Sequence, residues 1–133
     1  MDTKLQIYES GVWSVLIYGS EVWRLTEGTM RTLRGWNARC LIQITGREVR
    51  DETRDPTRDL VNFIRAERLR WLGKILRMEE GRLIKRLVTQ VQAPYPEGSI
   101  FMDAPAHNLD ELVKYANDKE HWNICVSALK WKP

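Results

Sequence analysis

Only two cysteines, Cys40 and Cys125, occur in the 133 residues. Neither lies in a C-x-x-C pair or at any zinc-type spacing, which excludes a disulfide scaffold and a cysteine-built zinc site. Two thiols without a framework fit a reducing compartment, so an intracellular setting, cytoplasmic or nuclear, is expected. Cys40 sits in an apolar helical pattern and reads as a buried thiol rather than a nucleophile. Histidine is equally scarce, with two copies. His121 and Cys125 stand four apart and would share a helix face, but a metal site needs a third ligand that the sequence does not place beside them. Long apolar runs are missing too. The longest early stretch without charge, residues 10–20, is 11 residues long, whereas a membrane span needs about 20. It also lacks a basic lead, so neither a span nor a signal peptide is expected. No glycine-rich phosphate loop opens a helix and no nucleophile elbow is present. The acidic pairs Asp51-Glu52, Glu79-Glu80 and Asp110-Glu111 fall in a loop or at helix ends, where solvation and helix dipoles account for them. No catalytic constellation and no cofactor is implied.

What is present is a concentration of arginine. All 14 arginines lie between Arg24 and Arg86. Residues 24–90 carry 16 Lys+Arg against 9 Asp+Glu, a net of +7, while residues 1–23 and 91–133 each come to −2. A basic middle between acidic flanks suggests an anionic partner for the middle. A set of solvated helix faces would have the same composition.

Residues 64–78 organise the chain. On a helix, Ile64, Trp71, Leu72, Ile75, Leu76 and Met78 fall on one side, and Leu72 and Ile75 are expected to be buried. Arg70, Lys74 and Arg77 fall together on the other, at i, i+4, i+7. This basic stripe is the best binding candidate. Trp71 points toward the apolar side and reads as core rather than as a base-stacking platform. Arg65 and Arg68 break the division by lying on the apolar side. Each needs a carboxylate, with Asp59 and Glu79 the local candidates, or a route to solvent along its stem. Their misfit hints at something anionic near this helix.

The rest reads as helices with a break. Residues 4–19 form a broadly apolar helix (Leu5, Tyr8, Val12, Val15, Leu16, widened by Trp13 and Ile17), started by a Thr3–Gln6 capping box, stopped at Gly19, and expected at the centre of the core. Val12 and its neighbours leave a strand reading open. Thr26 caps a helix to about Thr45, with Met30, Leu33, Cys40, Leu41 and Ile44 inward, Trp36 at the edge and Gly46 as the stop. Arg31 and Arg34 project from its other sides. Residues 47–54 read as an exposed loop, and Asp55-Pro56 as the next helix start. Residues 82–92 form a helix with Leu83, Ile84, Leu87, Val88 and Val91 inward. Two prolines and a glycine make 93–98 a linker. Residues 99–105 are expected to be extended. Asn108 with Glu111 is a second capping box, starting a last helix to about Leu129 with Leu109, Leu112, Val113, Ala116, Trp122, Val126 and Leu129 as core. Trp131 is expected to be exposed.

Several stretches together resemble one family. They are residues 16–23 (L-I-Y-G-S-E-V-W), Arg39-Cys40-Leu41 through Ile44-Thr45-Gly46, residues 68–78 (R-L-R-W-L-G-K-I-L-R-M), Met102-Asp103-Ala104-Pro105, and Ala116-Asn117-Asp118-Lys119 with Trp122. In this order they are similar to the region after the polymerase palm in LINE-type, non-LTR retrotransposon reverse transcriptases. Lys74 stands where the family often has histidine, and Lys119 where it often has arginine. The resemblance implies a thumb and C-terminal extension that grips a template–primer duplex. The family's catalytic aspartates, in a Tyr-x-Asp-Asp turn, would lie before Met1, so the chain is not expected to be an enzyme on its own.

The expectation is therefore an all-α bundle of about five helices with a short extended segment near 99–105. Residues 1–92 would form the basic bundle, 93–107 the linker and extended piece, and 108–133 a helix packing back. The expected partners are an RNA/DNA duplex, met without sequence preference through Arg70, Lys74, Arg77, Arg31 and Arg34, and the missing polymerase palm. No membrane and no cofactor is expected. The alternative is a helical protein-interaction domain of retrotransposon origin without a nucleic-acid role.

Overall fold

Helix α4, Leu60–Leu76, is the element the others pack around. The computed structural model of the chain describes residues 3–46, 59–91 and 94–130. The loop expected at 47–54, the Asp55-Pro56 start and Trp131 lie outside the described residues. Within them the architecture is all-α with no strand: α1 (Thr3–Ile7), a π-helical turn (Tyr8–Trp13), α2 (Ser14–Ile17), α3 (Glu27–Thr45), α4, α5 (Leu83–Thr89), α6 (Leu109–Asn117) and α7 (Lys119–Lys130).

The start of α4 is set by Asp59, whose carboxylate accepts from Val61 N at 2.9 Å and Asn62 N at 3.3 Å, satisfying amides that a helix N-terminus leaves open. Leu60 and Ile64 close one apolar cluster with Tyr8, Trp13 and Leu25. Leu69, Leu72 and Leu76 close a second with Phe101, Leu112, Trp122 and Val126. Leu72 and Ile75 are buried, as their spacing requires. Asp59 also accepts from Arg34 Nε at 3.1 Å, tying α3 to α4. Asp59→Ala should therefore cost about 1–2 kcal/mol, while Asp59→Asn, which keeps a capping oxygen, should cost less. Equal midpoints for the two variants in chemical denaturation would show that the cap is not what Asp59 contributes.

Helix α3 follows its local signals. Thr26 Oγ1 accepts from Thr29 N at 3.3 Å, and Gly46 ends the helix with φ at 67°, the left-handed conformation glycine adopts without a Cβ penalty. Its expected inner residues all pack on the first cluster.

The N-terminal rod is not central. Its helical backbone continues through the π turn, with Ile7 and Ser14 both in right-handed helical geometry. An i→i+5 ladder brings Tyr8 and Trp13 to one side; in an α-helix five residues would leave them about 140° apart. Their rings meet at 6.3 Å, edge to face. Tyr8, Leu16, Trp13 and Ile17 pack on the first cluster as expected, while Val12 and Val15 are turned outward. Val15 and Tyr18 are 77% and 89% exposed. Thr3, the expected cap, is itself helical. Tyr8 donates to Asn37 Oδ1 at 2.7 Å, and burial pushes its phenol up from 10.0 to about 12. The folded protein thus holds this proton more tightly than the unfolded chain does. Its contribution is complete below pH 10 and is lost as pH rises toward 12. Tyr8→Phe should remove about 1–2 kcal/mol of that alkaline loss, read as a flatter stability-versus-pH curve in that window. An unchanged slope would contradict the burial.

Three further expectations are corrected. Helix α5 is shorter than residues 82–92; Val88 and Val91 pack on the second cluster as expected, but Leu83, Ile84 and Leu87 are exposed, while Lys85 is buried. The stretch 99–105 is extended only at Ser99 and Ala104, with a 3-10 turn between them that buries Ile100 and Phe101. The last helix is two. Asp118 breaks it, its carboxylate accepting from His121 N at 3.1 Å to open α7. Asn108 does cap α6, accepting from Asp110 N at 2.9 Å, and the expected core positions from Leu109 to Leu129 pack on the second cluster.

Candidate nucleic-acid interface

Arg65 and Arg68 serve the fold. Neither Asp59 nor Glu79 takes them. Arg65 Nε donates to Asp103 Oδ1 at 2.9 Å, and its Nη2 meets the same oxygen. Arg68, 1% exposed, donates through Nη2 to the carbonyls of Trp23 at 3.0 Å and Gly98 at 3.1 Å. Burial pulls its pKa below the ordinary arginine value, and the Asp103 carboxylate pulls the other way. It remains cationic, as arginine does in proteins. The stretch expected as a linker is therefore clamped at its C-terminal end. Leu25 N donates to Gly98 O at 2.8 Å and Arg24 Nε to Glu97 O at 2.9 Å, while Tyr95 stacks on Phe101 with centroids 4.5 Å apart. The anionic neighbour hinted at by the two misplaced arginines is internal: one carboxylate and two backbone carbonyls.

The outward stripe is a separate matter. Arg70 pairs with Glu67 one turn earlier, and both side chains are partly in solvent, at 43% and 24% exposure. Such a surface pair contributes little, about 0.2–1 kcal/mol, and a phosphate oxygen could replace the carboxylate. Lys74 is exposed and has no partner among the described residues. Arg77 is half-buried and donates through Nη1 to Ala116 O at 2.9 Å, satisfying a carbonyl that the end of α6 leaves open. Of the three, Lys74 and Arg70 face an incoming anion most freely, and Arg77 has a structural duty.

Arg31 and Arg34 do not join them. Arg34 is held on Asp59 at 3.1 Å, at the opposite end of α4. Arg31 is exposed on α3 nearby. Lys74 is 14 residues along from Leu60 in α4, or about 21 Å at 1.5 Å per residue. An extended polyanion could reach both ends, but no compact ligand could. The sequence reading missed two exposed cations, Arg82 and Arg86, beside α5. With them, residues 70–90 hold six Lys/Arg against two Glu, a local excess that attracts anions over distances up to the Debye length.

His121 stacks on Tyr115 at 5.2 Å, and burial raises the Cys125 thiol pKa. Among the described residues no group of three or more His, Cys, Asp and Glu could hold a metal ion, and no helix is long and apolar enough to cross a membrane. No family model, curated protein or solved structure matches the chain.

Proposed function

We propose that this chain is a non-catalytic helical domain from the post-palm region of a LINE-type reverse transcriptase, contacting template–primer nucleic acid through phosphates. The observation that carries this reading is the two-sidedness of α4. Its inner side is committed to two apolar clusters, and its outer side carries exposed Lys74 and, one turn earlier, partly exposed Arg70. Phosphate contact suits a domain that must accept every sequence being copied, because base-edge readout would discriminate among templates. No nucleotide incorporation is expected, since the family's aspartate pair has no counterpart in the matched stretches.

The test compares labelled RNA–DNA duplexes of unrelated sequence at low salt, with wild type beside Arg70→Ala/Lys74→Ala. Arg77 stays in place because it closes α6. Affinity should be that of non-specific binding, tighter at low salt than the roughly 10⁻⁴–10⁻⁶ M of physiological salt. It should be the same for each duplex and lower in the double variant, with helical content unchanged. Sequence preference, or binding that survives both substitutions, would count against this reading.

The second reading, a protein-contact role, is favoured by the N-terminal rod. Ile7, Val12, Val15 and Tyr18 leave an exposed apolar side on it, followed by exposed Val22. Contiguous apolar surface of this kind marks interaction sites. In the reverse-transcriptase reading, the polymerase palm would cover it.

A further inference from the structure

Helix α5 rests Val88 on the second cluster but keeps its leucines on the outside. Lys85 is 5% exposed, whereas Leu83 and Leu87, one turn apart, are 69% and 56% exposed. The rotation is fixed from within. Lys85 Nζ donates to Met78 O at 2.9 Å and to Glu80 Oε1 at 2.6 Å, which locks the lysine against the end of α4 and leaves the leucines outside. At 100° per residue, Arg86 lies along one side of the leucine pair, with Arg82 just before the helix on that same side, and Ile84 lies along the other. The helix itself, L-I-K-R-L-V-T, carries no carboxylate.

We propose that this outer face of α5 docks an acidic amphipathic segment of a partner protein. The surface asks for two things at once: an apolar ridge to cover Leu83, Leu87 and Ile84, and carboxylates along the side where Arg82 and Arg86 stand. A helix with an apolar face and glutamates on one flank supplies both. A phosphate backbone would meet the arginines and leave the leucines in water. A membrane surface would gain little from this face, because interfacial binding scales with the apolar area buried and α5 offers only two leucines and an isoleucine. A second copy of this face would bring arginine to arginine, which disfavours self-pairing. The proposal stands independently of the duplex reading, which uses Arg70 and Lys74.

The test uses the full chain and a synthetic, fluorescein-labelled amphipathic helix with leucines at helical spacing and glutamates along one flank. A scrambled peptide of the same composition and a version with lysine for glutamate serve as controls. The acidic helix should bind, and both controls should bind at least about tenfold more weakly. Leu83→Gln/Leu87→Gln, which keeps helix propensity close to that of leucine, should lower affinity for the acidic helix by about tenfold without changing the melting temperature, since both side chains are largely in water. Arg82→Glu/Arg86→Glu should reverse the preference, so that the lysine helix binds better than the glutamate helix. Scrambled and acidic peptides binding alike, or wild-type binding by the glutamine variant, would overturn the proposal. So would a lowered melting temperature in the glutamine variant, which would mean the face is covered within the chain. If the arginine reversal abolished duplex binding while the acidic helix failed to bind wild type, α5 would belong to the nucleic-acid surface instead.

Discussion

Adding one methyl group at Gly73 should destabilise the protein by about 2–4 kcal/mol. A Cβ built there would stand 2.2 Å from Nε1 of Trp122 and 2.6 Å from its Cδ1. Trp122 is fully buried, and its Nε1 donates to Leu69 O at 2.9 Å. The clash is with a rigid ring in a packed site, so no flexible chain end can swing aside. Either the indole leaves its carbonyl partner or α7 backs away from α4. Gly35 supplies the control. It lies in α3, is exposed, and would have nothing within 4 Å of an added Cβ. Gly35→Ala should therefore stabilise by about 0.5–1 kcal/mol, from helix propensity alone. The opposite signs of the two glycine-to-alanine changes in urea midpoints are the readout. Near-ultraviolet circular dichroism should report the indole's displacement only in Gly73→Ala. Two stabilising changes would mean that α4 and α7 do not approach as closely as described.

Arg68→Met should cost about 1–3 kcal/mol, the penalty for leaving a buried acceptor without its donor. Methionine fills much of the stem's volume but donates nothing, so the Trp23 carbonyl would lose its arginine donor. Gly98 O would keep Leu25 N and lose Arg68. The loop is held where it cannot yield. Gly98 has φ at 75°, and a Cβ there would come within 2.7 Å of the Leu25 backbone. Arg68→Lys, which keeps a charge but not two donors on one nitrogen aimed at two carbonyls, should fall between wild type and Arg68→Met. Hydrogen exchange should show the loss locally, at the amide of Leu25, before global unfolding. Protection at Leu25 unchanged in Arg68→Met would remove the clamp from the account.

These two sites also show what a single sequence can and cannot reveal. The boundaries of α3 were legible because both signals are local: the Thr26 hydroxyl bonds three residues on, and Gly46 supplies its own left-handed turn. The inner face of α4 was legible because its period is regular. The capping residue Asn108 was legible for the same local reason. The outward turn of Val12 and Val15 was not, since the apolar pattern was matched to 3.6 residues per turn and a π turn runs from Tyr8 to Trp13. The face of α5 was misjudged because the leucines argued for burial on propensity, while a lysine held by a carbonyl and a carboxylate set the rotation. The partners of Arg65 and Arg68 lie far along the chain, at Asp103, Trp23 and Gly98, so no local pattern could indicate them. The same holds at the candidate interface. The i, i+4, i+7 spacing places Arg70, Lys74 and Arg77 along one side of a helix, but the bond from Arg77 to Ala116 is a product of how α6 meets α4. Arg31 and Arg34 stand toward the other end of α4, a separation that no spacing along the chain indicates.

The central claim, phosphate-based contact through the outer side of α4, is tested most directly by the salt dependence of duplex binding. Titrations of one RNA–DNA duplex across a series of salt concentrations yield the slope of log K against log salt. Each neutralised phosphate contributes about −0.9 to that slope in B-form duplexes. Two or three contacts from Arg70, Lys74 and the free donors of Arg77 correspond to a slope of about −2 to −3. In Arg70→Ala/Lys74→Ala it should shrink by about 2. Identical slopes for the two proteins, or no binding at the lowest salt, would contradict the claim.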